Sequence, residues 1–137
     1  MRQHAEVLEV NTRRGLVEIT AAVRGAVERA GIREGLLTVF IRHTSASLLI
    51  QENADPSARQ DLETFLDRLV PEGGDYVHTA EGPDDMPSHI KAALTRTSEQ
   101  VPIVKGEPLL GVWQGIFVWE HRRGRHRRQV AVHVLGE

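Results

Sequence analysis

The alternation of hydrophobic and polar positions predicts a chain built mainly from short strands. Apolar residues at every second position, or in short continuous runs bounded by Gly and Pro, are typical of strands. The pattern predicts strands at 3–10, 16–19, 36–41, 47–51, 101–104, 111–121 and 128–135. The first two would form a hairpin around Arg13-Arg14-Gly15, and the run Leu36–Ile41 predicts a strand buried on both faces.

Apolar spacing of three and four residues predicts helices at 21–30, 56–69 and 89–95. Thr20 would cap the first of these, although Leu16 continues the same spacing and allows an earlier start. Asp55-Pro56 is a strong start signal for the second helix, because an acidic cap precedes proline at the first helical position. Ser88 would cap the short third helix.

Runs of strands with few helices favour an α+β fold, with a β-sandwich or a curled antiparallel sheet as its core. The length of 137 residues fits a single domain that spans 1–137. Residues 75–88 lack periodicity and predict a long ordered loop, which in a compact domain is usually functional. Lys105–Pro108 and Arg122–Arg127 are expected to be turns.

Composition narrows the classes of function. The chain has no cysteine, which excludes thiol catalysis and thiolate metal sites and suits a reducing compartment. The net charge of -2 gives no general attraction to nucleic acid or membranes, so we expect neither as a partner. Residues 1–10 show no apolar leader, and no run is long enough to cross a membrane. The expected location is cytoplasmic.

Candidate metal ligands are concentrated in three polar segments. His43 ends a predicted strand, His78 and His89 lie at the two ends of an acidic loop with Asp84 and Asp85, and His121 follows Glu120. Imidazoles with a carboxylate suit Zn²⁺ or another first-row ion, whereas Asp84 and Asp85 alone could hold Mg²⁺. The alternative is that these side chains form hydrogen bonds within loops.

Phosphate recognition is a second candidate chemistry. Ser45 and Ser47 offer hydroxyl groups, and the arginines of the predicted 122–128 turn could bind phosphate in a bidentate manner. The alternative for this turn is a solvated hairpin tip. Trp113 and Trp119 could stack on a heteroaromatic ligand, or they could pack in the core.

Three segments resemble the YjbQ family, also known as the secondary thiamine-phosphate synthase enzymes. These are His43-Thr44-Ser45-Ala46-Ser47 through Glu52-Asn53-Ala54-Asp55-Pro56, His78 with Glu81–Lys91, and Gly111–Ile116 with Glu120-His121-Arg122. The resemblance covers nearly the whole chain. It implies a β-sandwich-like α+β fold, a homotrimer, and a weak thiamine-phosphate synthase activity that joins a hydroxymethylpyrimidine diphosphate to a thiazole phosphate with loss of diphosphate.

The resemblance implies a site that gathers polar groups from all three segments, and we assign roles to them as hypotheses. The catalytic candidates are His43, His89, His121, Glu52 and Asp84. The substrate-binding candidates are Ser45, Ser47, Asn53, Trp113, Gln114, Glu120, Arg122 and Arg128. The metal candidates are His43, His89, His121, Asp84 and Asp85. A phosphorylated small molecule is the expected substrate, a divalent metal (Mg²⁺ or Zn²⁺) the expected cofactor, and no organic cofactor is expected. A metal-dependent hydrolase and a non-catalytic metabolite-binding module are the alternatives.

Overall fold

A computed structural model describes all residues, 1–137, as three helices and six strands. The helices are α1 (Thr20–Ala30), α2 (Pro56–Leu69) and α3 (Asp85–Leu94). The strands are β1 (Arg2–Glu18), β2 (Gly35–Ile41), β3 (Ala46–Glu52), β4 (Ser98–Val104), β5 (Glu107–Pro108) and β6 (Gln114–Gly136). This confirms the predicted α+β class with a curled antiparallel sheet.

The strand β6 is the centre of the sheet. It pairs along one edge with β1, and along the other edge with β3 in its first third and β2 in its last third. The strands β4 and β5 extend the sheet beyond β2, so that one path through it runs β1-β6-β2-β4-β5. Every pairing is antiparallel.

Two predicted breaks in the strands are wrong. The residues predicted as a hairpin belong to the single strand β1, and the predicted turn 122–127 lies inside β6. Between the pairs Arg13–Arg125 and Gly15–Glu120, residues 121–124 of β6 form a wide bulge. A bulge interrupts the two-residue alternation without ending the strand, which is why the sequence pattern indicates a turn there.

The hydrophobic core lies between α1 and one face of the sheet. Fully buried side chains come from α1 (Val23, Val27), β2 (Leu37, Val39) and β6 (Val132, Val134). In β2 only alternate residues are buried, so the prediction that Leu36–Ile41 is buried on both faces is wrong. The opposite face exposes Val7 and Phe40, which flank Ala131 of β6 across neighbouring strands.

The helix starts differ from the predictions at two of the three helices. Asp55 caps α2 as predicted, accepting a hydrogen bond from the Ser57 N–H at 2.9 Å. Thr20 is inside the first turn of α1 rather than at its cap, and its buried hydroxyl accepts a hydrogen bond from the Ile116 N–H. The third helix begins at Asp85, four residues before the predicted start. No helix is long and apolar enough to cross a membrane.

Candidate functional site

A cluster of two imidazoles and one carboxylate lies at the start of α3. One carboxylate oxygen of Asp85, Oδ2, is 2.7 Å from Nε2 of His78 and 3.2 Å from Nε2 of His89. One ligand atom from each of the three residues lies within 4.8 Å of the other two. Asp85 and His89 are four residues apart on one face of α3, and His78 comes from the preceding loop. Two histidines and one carboxylate are a common ligand set for first-row divalent ions.

The contacts around this cluster suit a cation. The Nδ1 of His89 is 2.9 Å from the Thr44 carbonyl oxygen, which only accepts hydrogen bonds, so Nδ1 carries a proton. In a neutral His89 the lone pair is then on Nε2, directed at the Asp85 carboxylate. That is the tautomer in which a histidine binds a metal ion while its other nitrogen donates to a carbonyl group.

Arg122 lies in the β6 bulge, where it is not paired with β1, and its charge neutralises the two aspartates at the start of α3. Its guanidinium donates to both carboxylate oxygens of Asp84 at 3.2 Å and lies 3.2 Å from Oδ1 of Asp85. Burial opposes ionisation of Asp84, but the hydrogen bonds from Arg122 and the Arg123 N–H lower its pKa to about 2. Burial likewise opposes ionisation of Asp85, but the His78 hydrogen bond and the nearby His89 and Arg122 together lower its pKa. Asp84 is thus an ion-pair partner of Arg122 and lies outside the histidine cluster.

A second network is built around the buried pair Glu120–Arg128. The guanidinium donates to Oε1 of Glu120 at 2.7 Å and to Oε2 at 2.5 Å, and it also donates to the Ser45 hydroxyl at 3.0 Å. Thr12 donates to Oε1 of Glu120 at 2.6 Å. Burial raises the pKa of Glu120, but the hydrogen bonds from Arg128 and Thr12 outweigh it and lower the pKa. Arg128 is therefore held in the protein framework rather than directed at an open pocket.

His43 belongs to this second network. Its Nε2 accepts a hydrogen bond from the Gln129 N–H at 2.8 Å, and its Nδ1 lies 3.4 Å from the Arg128 guanidinium. Burial and the Arg128 charge lower the pKa of His43. Neither ring nitrogen faces a carboxylate or another histidine, so the structure does not bring His43 into a metal cluster.

His121 lies in the wall of a separate cavity of about 190 Å³ between β6, α2 and α3. Its Nε2 is 2.9 Å from the Ser47 hydroxyl. Burial, and then the charge of Lys91, lower the pKa of His121 to about 3, so the imidazole is neutral at pH 7. Lys91 is itself buried and pairs with Asp67 of α2 at 2.5 Å.

Four predicted site residues lie at the other end of β3. Glu52 pairs with Gln114, whereas Ala46 at the start of the strand pairs with Glu120. Six residues of extended chain separate these pairs by about 20 Å. Asn53 donates to the carbonyl oxygens of Val112 and Gln114 in the connection before β6, where Trp113 is 63% exposed. Within one chain, this end of the sheet is not part of the histidine cluster.

The structure therefore divides the predicted site residues into four groups. Near the start of α3 it brings together His89, Asp84, Asp85 and Arg122; near the middle of β6, His43, Ser45, Glu120 and Arg128; at the cavity, Ser47 and His121; and at the far end, Glu52, Asn53, Trp113 and Gln114. The sequence analysis counted His78 among the candidate ligands but left it out of the final metal set. It also missed Thr12 and Lys91, which have no local pattern.

Comparison with known proteins identifies relatives of the whole chain. The family described as UPF0047 protein YjbQ-like matches residues 5–137. The UPF0047 protein sll1880 of Synechocystis is 54% identical over 138 residues, covering 99% of this chain and 94% of that protein. YjbQ of Escherichia coli O157:H7 is 48% identical over 103 residues, 75% of each protein.

Solved structures of similar fold extend over nearly the same length. A hypothetical protein, APE1520 from Aeropyrum pernix, has a TM-score of 0.89 at 29% identity and covers 98% of this chain and 99% of its own. An uncharacterised protein of the YjbQ/UPF0047 family from Clostridium acetobutylicum has a TM-score of 0.83 at 36% identity and covers 96% and 99%. The chain belongs to the YjbQ/UPF0047 family.

Proposed function

We propose that this protein is a metal-dependent enzyme whose ion is held by His78, Asp85 and His89. The observation that carries the proposal is the convergence of two imidazole nitrogens on one buried carboxylate oxygen, with His89 Nδ1 fixed by a carbonyl group. The nitrogen donors favour Zn²⁺ or another first-row ion over Mg²⁺, which prefers oxygen ligands. Three protein ligands leave a coordination position for substrate or water.

A cavity of about 310 Å³ adjoins the cluster, and its size and lining suit a small aromatic substrate. Its wall includes His78 itself together with Tyr76, Thr79 and Met86. Tyr76 is held by a hydrogen bond from its hydroxyl to the Pro71 carbonyl oxygen at 2.9 Å. The volume is at the lower end of the range for small-molecule sites, and an aromatic ring in the wall suits a heteroaromatic ligand.

A phosphorylated heterocycle fits these two features together, with the phosphate at the ion and the ring in the cavity. The specific reaction we propose is the weak thiamine-phosphate synthase activity implied by the family resemblance. In that reaction the bond between the methylene carbon of the pyrimidine and its diphosphate oxygen breaks, the same carbon forms a bond to the ring nitrogen of the thiazole phosphate, and diphosphate leaves. The ion would supply charge neutralisation for the departing diphosphate.

Metal analysis and a turnover assay test the proposal at separate levels. Purified protein should bind about one equivalent of Zn²⁺, and His78→Ala and His89→Ala should lose it. The variant His133→Ala, which removes a half-buried imidazole of β6 outside the cluster, should retain it. Metal-loaded protein should form thiamine phosphate from the two substrates, and His78→Ala should not. Absence of stoichiometric metal would refute the metal site. Metal without product would refute the synthase reaction alone.

Hydrolysis is a second candidate reaction at the same cluster. The specific observation is that the cluster supplies three protein ligands, which would leave a coordination position where a bound water would become a nucleophile. Release of inorganic phosphate from a phosphorylated heterocycle, dependent on His78 and His89, would favour this reaction over the synthase. Ligand binding without any turnover would favour a metabolite-binding module.

We also propose the homotrimer implied by the resemblance. On residues 113–121 the exposed apolar surface is limited to Trp113, because 115–121 are buried. A larger exposed apolar surface lies on the outer face of the sheet, where Val7, Leu36, Phe40 and Leu135 are each 37–47% exposed. Exposed apolar patches of this kind mark contact surfaces between proteins.

A further inference from the structure

Three arginines share one face of the ribbon formed by β1 and β6. Arg13 pairs directly with Arg125, and Asn11 pairs with Arg127, two residues further along the same strands. Because side chains alternate along a strand, all four residues project from the same face of the sheet. All four are exposed.

These three guanidinium groups have no partner within the chain. Arg13, Arg125 and Arg127 appear in none of the ion pairs and none of the side-chain hydrogen bonds. The neighbouring Arg14 and Arg123, by contrast, both form ion pairs with Glu72. The ribbon therefore has a local excess of positive charge in a protein whose net charge is -2.

This arrangement is unfavourable for the isolated fold. Like charges directly opposite one another on paired strands are destabilising, and Arg13 and Arg125 occupy such a position. The arginines also line a groove of about 770 Å³ together with Asn11, Val17 and His126. An anionic ligand in this groove would turn the repulsion into attraction.

The spacing and the lining of the groove define the class of ligand. A guanidinium group binds phosphate through two parallel hydrogen bonds, and three such groups within two strand positions match several linked phosphates better than one. The groove has no Phe, Tyr or Trp side chain on which successive bases could stack, which argues against single-stranded nucleic acid. We propose that this arginine face binds an oligophosphate group. The proposal does not depend on the metal cluster or its reaction.

Calorimetric titration with inorganic tripolyphosphate, at low ionic strength and without divalent metal, tests this proposal. The wild-type protein should bind tripolyphosphate more tightly than monophosphate. Arg125→Ala and Arg127→Ala should each weaken binding about tenfold, the loss expected for one charge-assisted contact. Arg68→Ala is the matched control, because Arg68 is also exposed and unpaired but lies on α2, and it should leave binding unchanged.

Several results would overturn the proposal. Undetectable binding of tripolyphosphate would refute the site. An equal loss of binding in the Arg68→Ala variant would also refute it, because it would show a general attraction between positive charge and phosphate. If a single-stranded oligonucleotide bound more tightly than tripolyphosphate, the ligand of this face would be a nucleic acid and the oligophosphate proposal would be wrong. A change of oligomeric mass in a variant with all three arginines replaced would show that the face is covered by another copy of the chain. Circular dichroism spectra and thermal unfolding temperatures equal to those of the wild type would confirm that the variants are folded.

Discussion

Replacing Arg128 with leucine should be among the most destabilising changes in this protein. Glu120 is 1% exposed, and Arg128 provides two of the hydrogen bonds that its carboxylate accepts from side chains. Each hydrogen bond to a charged group contributes about 1.5–3 kcal/mol. Removing one partner of a buried ion pair costs about 3–5 kcal/mol, because a buried charge remains without its counter-ion. We therefore expect a loss of about 3–5 kcal/mol, a large part of the stability of a domain this size.

Urea denaturation at pH 7 and fixed protein concentration measures this loss, with the fluorescence of the buried Trp119 as the signal. A double-mutant cycle separates the ion pair from general packing. The variant Glu120→Leu/Arg128→Leu removes both charges and should be more stable than Arg128→Leu alone. If the double variant loses as much as the two single variants together, the pair is not coupled and the reasoning is wrong.

The pH dependence of the Arg128→Leu variant gives an independent check. In the wild-type protein the pKa of Glu120 is lowered below its ordinary value of 4.5. The ionised carboxylate therefore contributes to the free energy of unfolding above pH 4.5, and this contribution is lost as pH falls through the folded-state pKa. Without Arg128, burial is left to raise the pKa of Glu120. The destabilisation should therefore begin to shrink above pH 4.5, as the carboxyl group of the folded variant becomes neutral, and it should shrink further below 4.5, as the wild-type protein loses its own contribution. A defect that is constant from pH 7 to pH 3.5 would contradict this account.

Three further predictions concern other parts of the fold. The pKa of His121 is lowered from 6.5 to about 3, so the unfolded chain takes up a proton on this imidazole at higher pH than the folded protein does, and the free energy of unfolding falls as pH drops from 6.5 to 3. In urea titrations at several pH values, His121→Gln should show a smaller fall in this free energy than the wild type. An equal fall in both proteins would contradict a buried neutral imidazole. A Cβ on Gly35 would overlap the Leu135 carbonyl oxygen, so Gly35→Ala should lose about 2 kcal/mol or more in thermal unfolding. By comparison, Gly25→Ala inside α1 should raise the free energy of unfolding by about 0.5–1 kcal/mol, because the only atoms near the added Cβ belong to the flexible end of Arg29. Equal effects at both glycines would count against the packing argument. Finally, light scattering should give the mass of a trimer, and Phe40→Glu on the outer face should reduce that mass; a monomeric wild type would refute the trimer.

Local signals in the sequence were sufficient to predict the fold class and the presence of the three helices, although the start was correct only for α2. Asp55-Pro56 predicts the start of α2 because a cap acts within a few residues, and the structure confirms the Asp55–Ser57 hydrogen bond. The lengths of β1 and β6 could not be predicted in this way. Gly15 and Gly124, with φ of 115° and 79°, indicate turns in the sequence but lie within the interrupted stretch of the ribbon.

The candidate site was only partly predictable, for a related reason. Asp85 and His89 are four residues apart, so their convergence follows once α3 is recognised to begin before Ser88. His78 comes from a loop without periodicity, and no local pattern places it beside Asp85. The contact between His43 and the Gln129 N–H joins residues 86 positions apart, and it depends on the register of the sheet.

The bulge in β6 connects the two polar networks through Arg122. Its N–H donates to Oε2 of Glu120 at 3.1 Å, while its guanidinium holds Asp84 and Asp85 at the start of α3. We therefore expect the position of the proposed metal ligand Asp85 to respond to the buried carboxylate of Glu120, although the two acids do not touch. A residue that contacts a metal ligand directly commonly changes metal affinity about 10–100-fold, whereas Arg128 acts through Glu120 and Arg122. Arg128→Leu should therefore weaken Zn²⁺ binding by up to about tenfold while leaving all three ligands in place. Unchanged affinity in a folded Arg128→Leu variant would mean that the α3 cluster is positioned by its own contacts, with His89 held by Thr44 as the main one.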